Sequence, residues 1–134
     1  MAHLRPWLDG RAVLTVNPRE LARTAGVSEA EVDDDPQAVA ARVAGRSRVV
    51  AVCGGTSKHV VTPEGDAWVV EGGGPGLASS GSGDVQSGVL AGLLARGTSP
   101  AQAAVWASYV HARCGERLAA SIGPVGYLAR ELPG

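Results

Sequence analysis

The chain has 134 residues, 45% of them apolar and 19% charged, with a formal net charge of -1, a composition that suits one globular domain with a real core. Near-neutral charge gives no general electrostatic reason to expect nucleic acid or an anionic membrane as a partner. No apolar run reaches the ~18 residues of a membrane span. The opening stretch MAHLRPWLDGRAVL lacks the long apolar core of a signal peptide, so a cytoplasmic location is expected.

RAVLTV (11–16) is β-branched and predicts a strand. NPRELARTAG predicts a helix, with Asn17 as cap, Pro18 at its first position, Glu20 at the third and Gly26 as its stop. SEAEVDDD is read as a solvated turn or helix start rather than a metal site, because nothing pins its carboxylates together. DPQAVAARVAG (35–45) predicts a second short helix. RVVAVCGG (48–55) is a near-continuous apolar run, as in a strand buried on both faces of a parallel sheet. KHVVTPEGDAWVVEGG predicts a hairpin turning at 63–66. DVQSGVLAGLLARG predicts a helix with Val85, Val89, Leu93 and Leu94 on one stripe. Its Gly88 and Gly92 invite the close approach of a neighbouring backbone, and Gly97 is its stop. SPAQAAVWASYVHARCGERLAASIG predicts a longer helix capped by Ser99, buried through its apolar first half, and PVGYLARELPG a last short helix. Trp68 and Trp106 are expected in the core. His59 is expected on a strand surface, and His111 on a helix beside the site. The two cysteines, Cys53 and Cys114, suggest neither a disulfide framework nor a zinc site. The order of elements indicates an α/β domain.

The most unusual stretch is GGGPGLASSGSGDVQSGVLAGLL (72–94), in which six glycines and three serines lead into Asp84. Glycines ahead of a helix let a phosphate or oxyanion reach unsatisfied amides at the positive end of the helix dipole. Two readings of Asp84 stand side by side. It is an N-cap, or it takes a proton from a hydroxyl attacking a phosphoryl group while the Gly81–Gly83 amides hold the developing charge.

The segment GPGLASSGSGDVQSGVLAGLLARG resembles the signature of the ADP-dependent NAD(P)H-hydrate dehydratases, which have a ribokinase-like fold. LTVNPRELART, VVAVCGGTSKHVVTPEGDAWVV, AAVWASYVHARCGERLA and GPVGYLAREL match other segments of that family in order and spacing. The resemblance runs from about residue 11 to the C-terminus and covers the C-terminal half of such a protein. It implies an incomplete three-layer α/β/α fold, with residues 1–134 forming a single partial domain. It implies a carbon–oxygen lyase that repairs hydrated NADH or NADPH, using ADP as co-substrate with Mg²⁺ and releasing AMP and phosphate. Asp84 would be the base and contact the hydrate together with Asn17. Cys53, Gly54, Gly55, Thr56, Ser57, Gly81, Ser82 and Gly83 would bind the nucleotide, with no protein residue acting as metal ligand.

The chain departs from the family's usual pattern at three positions. Cys53 stands where a phosphate-loop Lys is usual, Asn17 where a His is usual, and Gln86 where a Leu follows the Asp. Cys53 is read as a small buried strand-end residue rather than a reactive thiol. The partners expected are a hydrated nicotinamide nucleotide and an adenine nucleotide. Self-association, or a missing N-terminal half, is expected to complete the sheet. Two alternatives stay open: another ribokinase-like small-molecule kinase, of the hydroxyethylthiazole or hydroxymethylpyrimidine type, and a non-catalytic domain that binds adenine nucleotide or a partner chain.

Overall fold

A computed structural model describes residues 8–134; the opening segment read above for a signal peptide lies partly outside them. The elements are β1 (Val13–Val16), α1 (Pro18–Ala25), α2 (Glu29–Asp34), α3 (Pro36–Ser47), β2 (Val50–Cys53), β3 (Ser57–Val61), β4 (Ala67–Glu71), α4 (Ser82–Ala95) and α5 (Pro100–Ser121). Single 3₁₀ turns span Pro75–Ala78 and Ala129–Glu131. The sheet order is β1-β2-β3-β4. β1 and β2 run parallel with Val16 opposite Cys53, and β2 and β3 run antiparallel with Cys53 opposite His59. The sheet is therefore mixed. The chain divides into two compact units, Met1–Val69 and Val70–Gly134.

In the first unit the helix between the leading strand and the next element forms where its caps say it should. Asn17 Oδ1 accepts from the Glu20 amide at 2.8 Å, and Glu20 Oε2 accepts from the Asn17 amide at 2.9 Å, a reciprocal pair that satisfies two otherwise orphaned donors. Gly26, at φ 74°, closes the helix in the left-handed region. SEAEVDDD forms the short helix α2, capped by Ser28. Leu21, Val32, Val39 and Val43 from the three helices pack with Ala51, Cys53 and Val61 of the sheet. All four residues of β2 are buried, as its unbroken apolar run requires. The hairpin turns where expected: the Thr62 amide donates to Asp66 O at 2.8 Å, and the Asp66 amide donates to Thr62 Oγ1 at 3.1 Å.

In the second unit α4 and α5 pack against each other, but not through the expected stripe. The buried residues of α4 are Ser82, Gln86 and Leu90, spaced by four and so on one face. Val85 and Val89 instead line a shallow cavity of about 190 Å³, with Val110, His111, Cys114, Leu132 and Pro133. Gly88 and Gly92 face open space, which corrects the reading of a close backbone approach there. The tight glycines are elsewhere. A Cβ at Gly76 would sit 2.5 Å from Tyr127 Cε1, and one at Gly115 would sit 2.9 Å from Gly73 O.

Helix α5 buries a face of small residues, Ala103, Ala104, Ala107, Ser108, Ala112 and Gly115. Trp106 lies on the other side and is 56% exposed. The expectation of a buried first half, and of Trp106 in the core, is thus wrong: small residues permit close packing, and the indole has no place on that face. Trp68, on β4, is also exposed. The C-terminal segment forms one 3₁₀ turn rather than a helix; Tyr127 and Leu132 bury themselves there against Leu77, Val85 and Leu118.

Candidate functional site

The first unit gathers its sequence-selected residues at the C-terminal ends of two parallel strands, where open α/β sheets commonly place ligands. Asn17 follows β1 directly, and Gly54 follows β2 directly. The Gly54 amide donates to Val16 O at 2.8 Å, extending the ladder by one bond. Asn17 is exposed and acts as the cap of α1. The cap uses its Oδ1 and its backbone amide, so the expected helix cap is formed. Beyond Gly54, Gly55 and Thr56 are exposed, and Gly55 adopts φ 147°, a conformation that side chains resist.

Cys53 does not belong to that exposed rim. It is 1% exposed and packs among Leu21, Ala44 and Val61. Burial pushes its thiol up to about 11, since the thiolate would lose its hydration. It is a neutral core residue at physiological pH and not a reactive nucleophile. His59, opposite Cys53, is half-buried, and its Nδ1 has no hydrogen-bond partner.

Lys58 is a further buried polar residue of the first unit. It is 4% exposed, and burial lowers its amine from 10.5 to about 8. The register that pairs Cys53 with His59 sets Lys58 across from Gly54. An interior lysine is rare, and the local sequence SKHVV, three polar residues followed by two valines, does not flag one.

The second unit builds the start of α4. Gly81 is its N-cap at φ 84°, and no side chain caps the helix. The helix therefore begins at Ser82, and Asp84 is its third residue rather than its cap, which corrects the capping reading. The amides of Gly83 and Asp84 have no intrahelical acceptor, as first-turn amides never do. A Cβ at Gly83 would meet nothing within 4 Å, and Asp84 is exposed beside it. Uncapped amides, a bare glycine and an open carboxylate thus share one turn.

Ser82 faces the other way. It is 2% exposed. His111 Nε2 lies 2.9 Å from Ser82 O and 3.0 Å from Ser82 Oγ, and the Ser82 amide donates to Ser79 O at 3.2 Å. A carbonyl only accepts, so Nε2 carries a proton. One turn on, Gln86 Nε2 donates to Ser108 Oγ at 3.1 Å. The Gln in place of an apolar residue is therefore a buried, bonded residue that ties α4 to α5. Among the described residues no cluster of three or more His, Cys, Asp or Glu could hold a metal ion, and both cysteines are free thiols.

The mixed sheet, the glycine turn and the carboxylate in the first turn of the following helix define a ribokinase-like α/β protein. A solved ribokinase-like superfamily protein from Enterococcus faecalis, 22% identical, superposes on 92% of the chain with a TM-score of 0.74, a likeness of fold alone. The chain belongs to the NAD(P)H-hydrate dehydratase family, whose model matches residues 3–133. An ADP-dependent (S)-NAD(P)H-hydrate dehydratase from Xanthomonas campestris is 44% identical over 97% of the chain and 45% of its own length. One from Neisseria meningitidis is 33% identical over 90% of the chain and 41% of its own length. The crystal structure of the ADP/ATP-dependent enzyme from Bacillus subtilis, co-crystallised with ATP/Mg²⁺, matches 93% of the chain and 48% of its own length with a TM-score of 0.85 at 29% identity. The chain thus spans about half the length of these relatives. No helix among the described residues is long and apolar enough to cross a membrane.

Proposed function

We propose that this chain carries the nucleotide- and phosphoryl-handling half of an ADP-dependent NAD(P)H-hydrate dehydratase, a lyase that restores hydrated NADH or NADPH. The observation that carries the reading is the start of α4: an exposed carboxylate at Asp84, on a helix whose cap is a glycine and whose first-turn amides no side chain claims. Asp84 accepts the proton of the added hydroxyl as that oxygen attacks the terminal phosphoryl group of ADP, and AMP leaves. The amides of Gly83 and Asp84, at the positive end of the helix, stabilise the charge spreading over the transferring group. Loss of phosphate together with a ring proton then regenerates the nicotinamide double bond. Within the first unit, Gly54, Gly55, Thr56 and Ser57 offer backbone groups and hydroxyls suited to an adenine nucleotide, with Asn17 at the neighbouring strand end. The burial of Cys53 and of Ser82 argues against direct nucleotide contact by either side chain.

Among the described residues no group of three or more His, Cys, Asp or Glu comes together to hold a metal ion. Mg²⁺ commonly keeps most of its ligands as phosphate oxygens and water, so any Mg²⁺ would travel with the nucleotide. No step above depends on it.

The test is to incubate the chain, alone and completed with the rest of the fold, with ADP and hydrated NADH. The reading expects AMP to form in step with restored NADH and only when the hydrate is present. AMP formation independent of hydrate, or phosphorylation of an unrelated hydroxyl compound, would replace it with the small-molecule kinase reading.

A further inference from the structure

We infer that His111 is a positioning residue of this site: it holds the first turn of α4 in the orientation that presents Asp84. The inference rests on the function proposed above, but its first test does not.

Helices normally secure their first turn with a capping side chain, and α4 has none. Its cap, Gly81, sits in the left-handed region, where a side chain would be strained. Left to itself such a turn frays, since its amides have no internal partners. His111 supplies the restraint from outside. It is 4% exposed, and its Nε2 lies within hydrogen-bond distance of both oxygens of Ser82, the first helical residue. The carbonyl contact is the informative one, because it grips the backbone and fixes the proton on Nε2.

The geometry of the helix makes this grip directional. Ser82 and Gln86 are four apart and face α5, where His111 and Ser108 hold them. Asp84 is two residues from each, on the far side of the turn, and it is exposed. Two buried polar pairs therefore fix the face opposite the carboxylate, and a rotation of the turn that moved Asp84 would break the bond at Ser82. Positioning of this kind matters because displacements of about 1 Å can cost ~10²-fold in rate.

The experiment is hydrogen exchange by mass spectrometry on the full chain, comparing wild type, His111→Leu, His111→Gln and Ser82→Ala. Gln can place an amide N–H about as far from the backbone as Nε2 lies. In His111→Leu the amides of Val85, Gln86 and Ser87 should lose protection by ~10-fold or more, while Leu93 to Ala95 keep theirs. His111→Gln should recover most of it. Ser82→Ala should stay within roughly threefold of wild type, because the carbonyl remains to accept. Should His111→Leu fail to fold, His111→Asn against His111→Gln decides, since the shorter amide cannot reach Ser82. Unchanged protection at the helix start in Leu or Asn, or equal loss throughout α4, overturns the inference. In the dehydration assay, His111→Leu should lower kcat by roughly 10²-fold and KM for ADP by little, with Gln restoring kcat. A kcat that follows only the folded fraction would reduce His111 to packing. Silence of the wild type in that assay, with the exchange pattern intact, would instead remove the proposed reaction and leave the restraint standing.

Discussion

Two buried ionisable groups in the first unit set opposite pH dependences, and their sum has a shape that can be measured. Lys58 is lowered by burial from 10.5 to about 8, and Cys53 is raised by burial from 9.0 to about 11. For a lysine lowered in the folded state, the unfolded chain binds the extra proton between pH 8 and 10.5, so stability rises with pH across that window. For a thiol raised in the folded state, the folded chain binds the extra proton between pH 9 and 11, so stability falls there. Each full proton is worth about 1.4 kcal/mol per pH unit. Stability should therefore climb by about 1 kcal/mol from pH 8 to 9, where Lys58 acts alone. It should level from 9 to about 10, where the two cancel. Above 10 the buried Tyr127 phenol, also raised by burial, adds a further loss. The full gap at Lys58 corresponds to about 3 kcal/mol below pH 8. Urea unfolding at half-unit pH steps, at low protein concentration, reads this directly. Lys58→Met should abolish the rise and leave a decline from pH 9; Cys53→Ala should let the rise continue past 9. A wild type whose stability is flat or falling from pH 8 to 9, or a Lys58→Met that keeps the rise, would show that Lys58 is not the source of this pH dependence.

Gly88→Ala should stabilise the chain by up to about 1 kcal/mol, since its Cβ meets open space and glycine is the poorer helix former, whereas Gly76→Ala should destabilise by about 1–3 kcal/mol against the Tyr127 ring; thermal melts of both check the sign. Asn17→Ala should cost about 0.5–2 kcal/mol through loss of the capping pair with Glu20, and Asn17→Asp should restore it, so a drop in ADP or hydrate binding that Asp does not repair would mark a ligand role beyond the cap. The chain alone should self-associate in sedimentation runs, because Trp106, Tyr109, Val110, Ile122 and Val125 are all exposed; a monomer at high micromolar concentration that binds no apolar dye would contradict this.

Much of the first unit was legible because its signals are local. Asn17, Pro18, Glu20 and Gly26 each occupy the helix position their chemistry suits, and the apolar run of β2 is buried throughout. The turn at 63–66 closes by its own backbone and by Thr62. What the local sequence does not carry depends on partners distant in sequence. Asp84 looks like a cap until Gly81 is seen to hold the left-handed conformation that starts the helix three residues earlier. The buried stripe of α4 is partly polar because His111 and Ser108, more than twenty residues on, satisfy Ser82 and Gln86. Apolar periodicity cannot register such a stripe. Trp106 falls outside the core because the packed face of α5 was chosen for smallness. Lys58 gives no sign of burial at all, since a charged side chain between Ser57 and His59 carries no apolar signal.

Asp84 is the proposed base of a phosphoryl-assisted dehydration. At the third position of α4 its charge favours the helix dipole by only about 0.3–1 kcal/mol, so Asp84→Asn should fold with a stability within about 1 kcal/mol of wild type. The decisive measurement is the rate of NADH recovery from its hydrate with ADP and Mg²⁺, for wild type and Asp84→Asn, on the chain completed with the rest of the fold. The expected result is a loss of ~10²-fold or more in kcat with the fold intact. An Asp84→Asn protein that folds and turns over at the wild-type rate would contradict it.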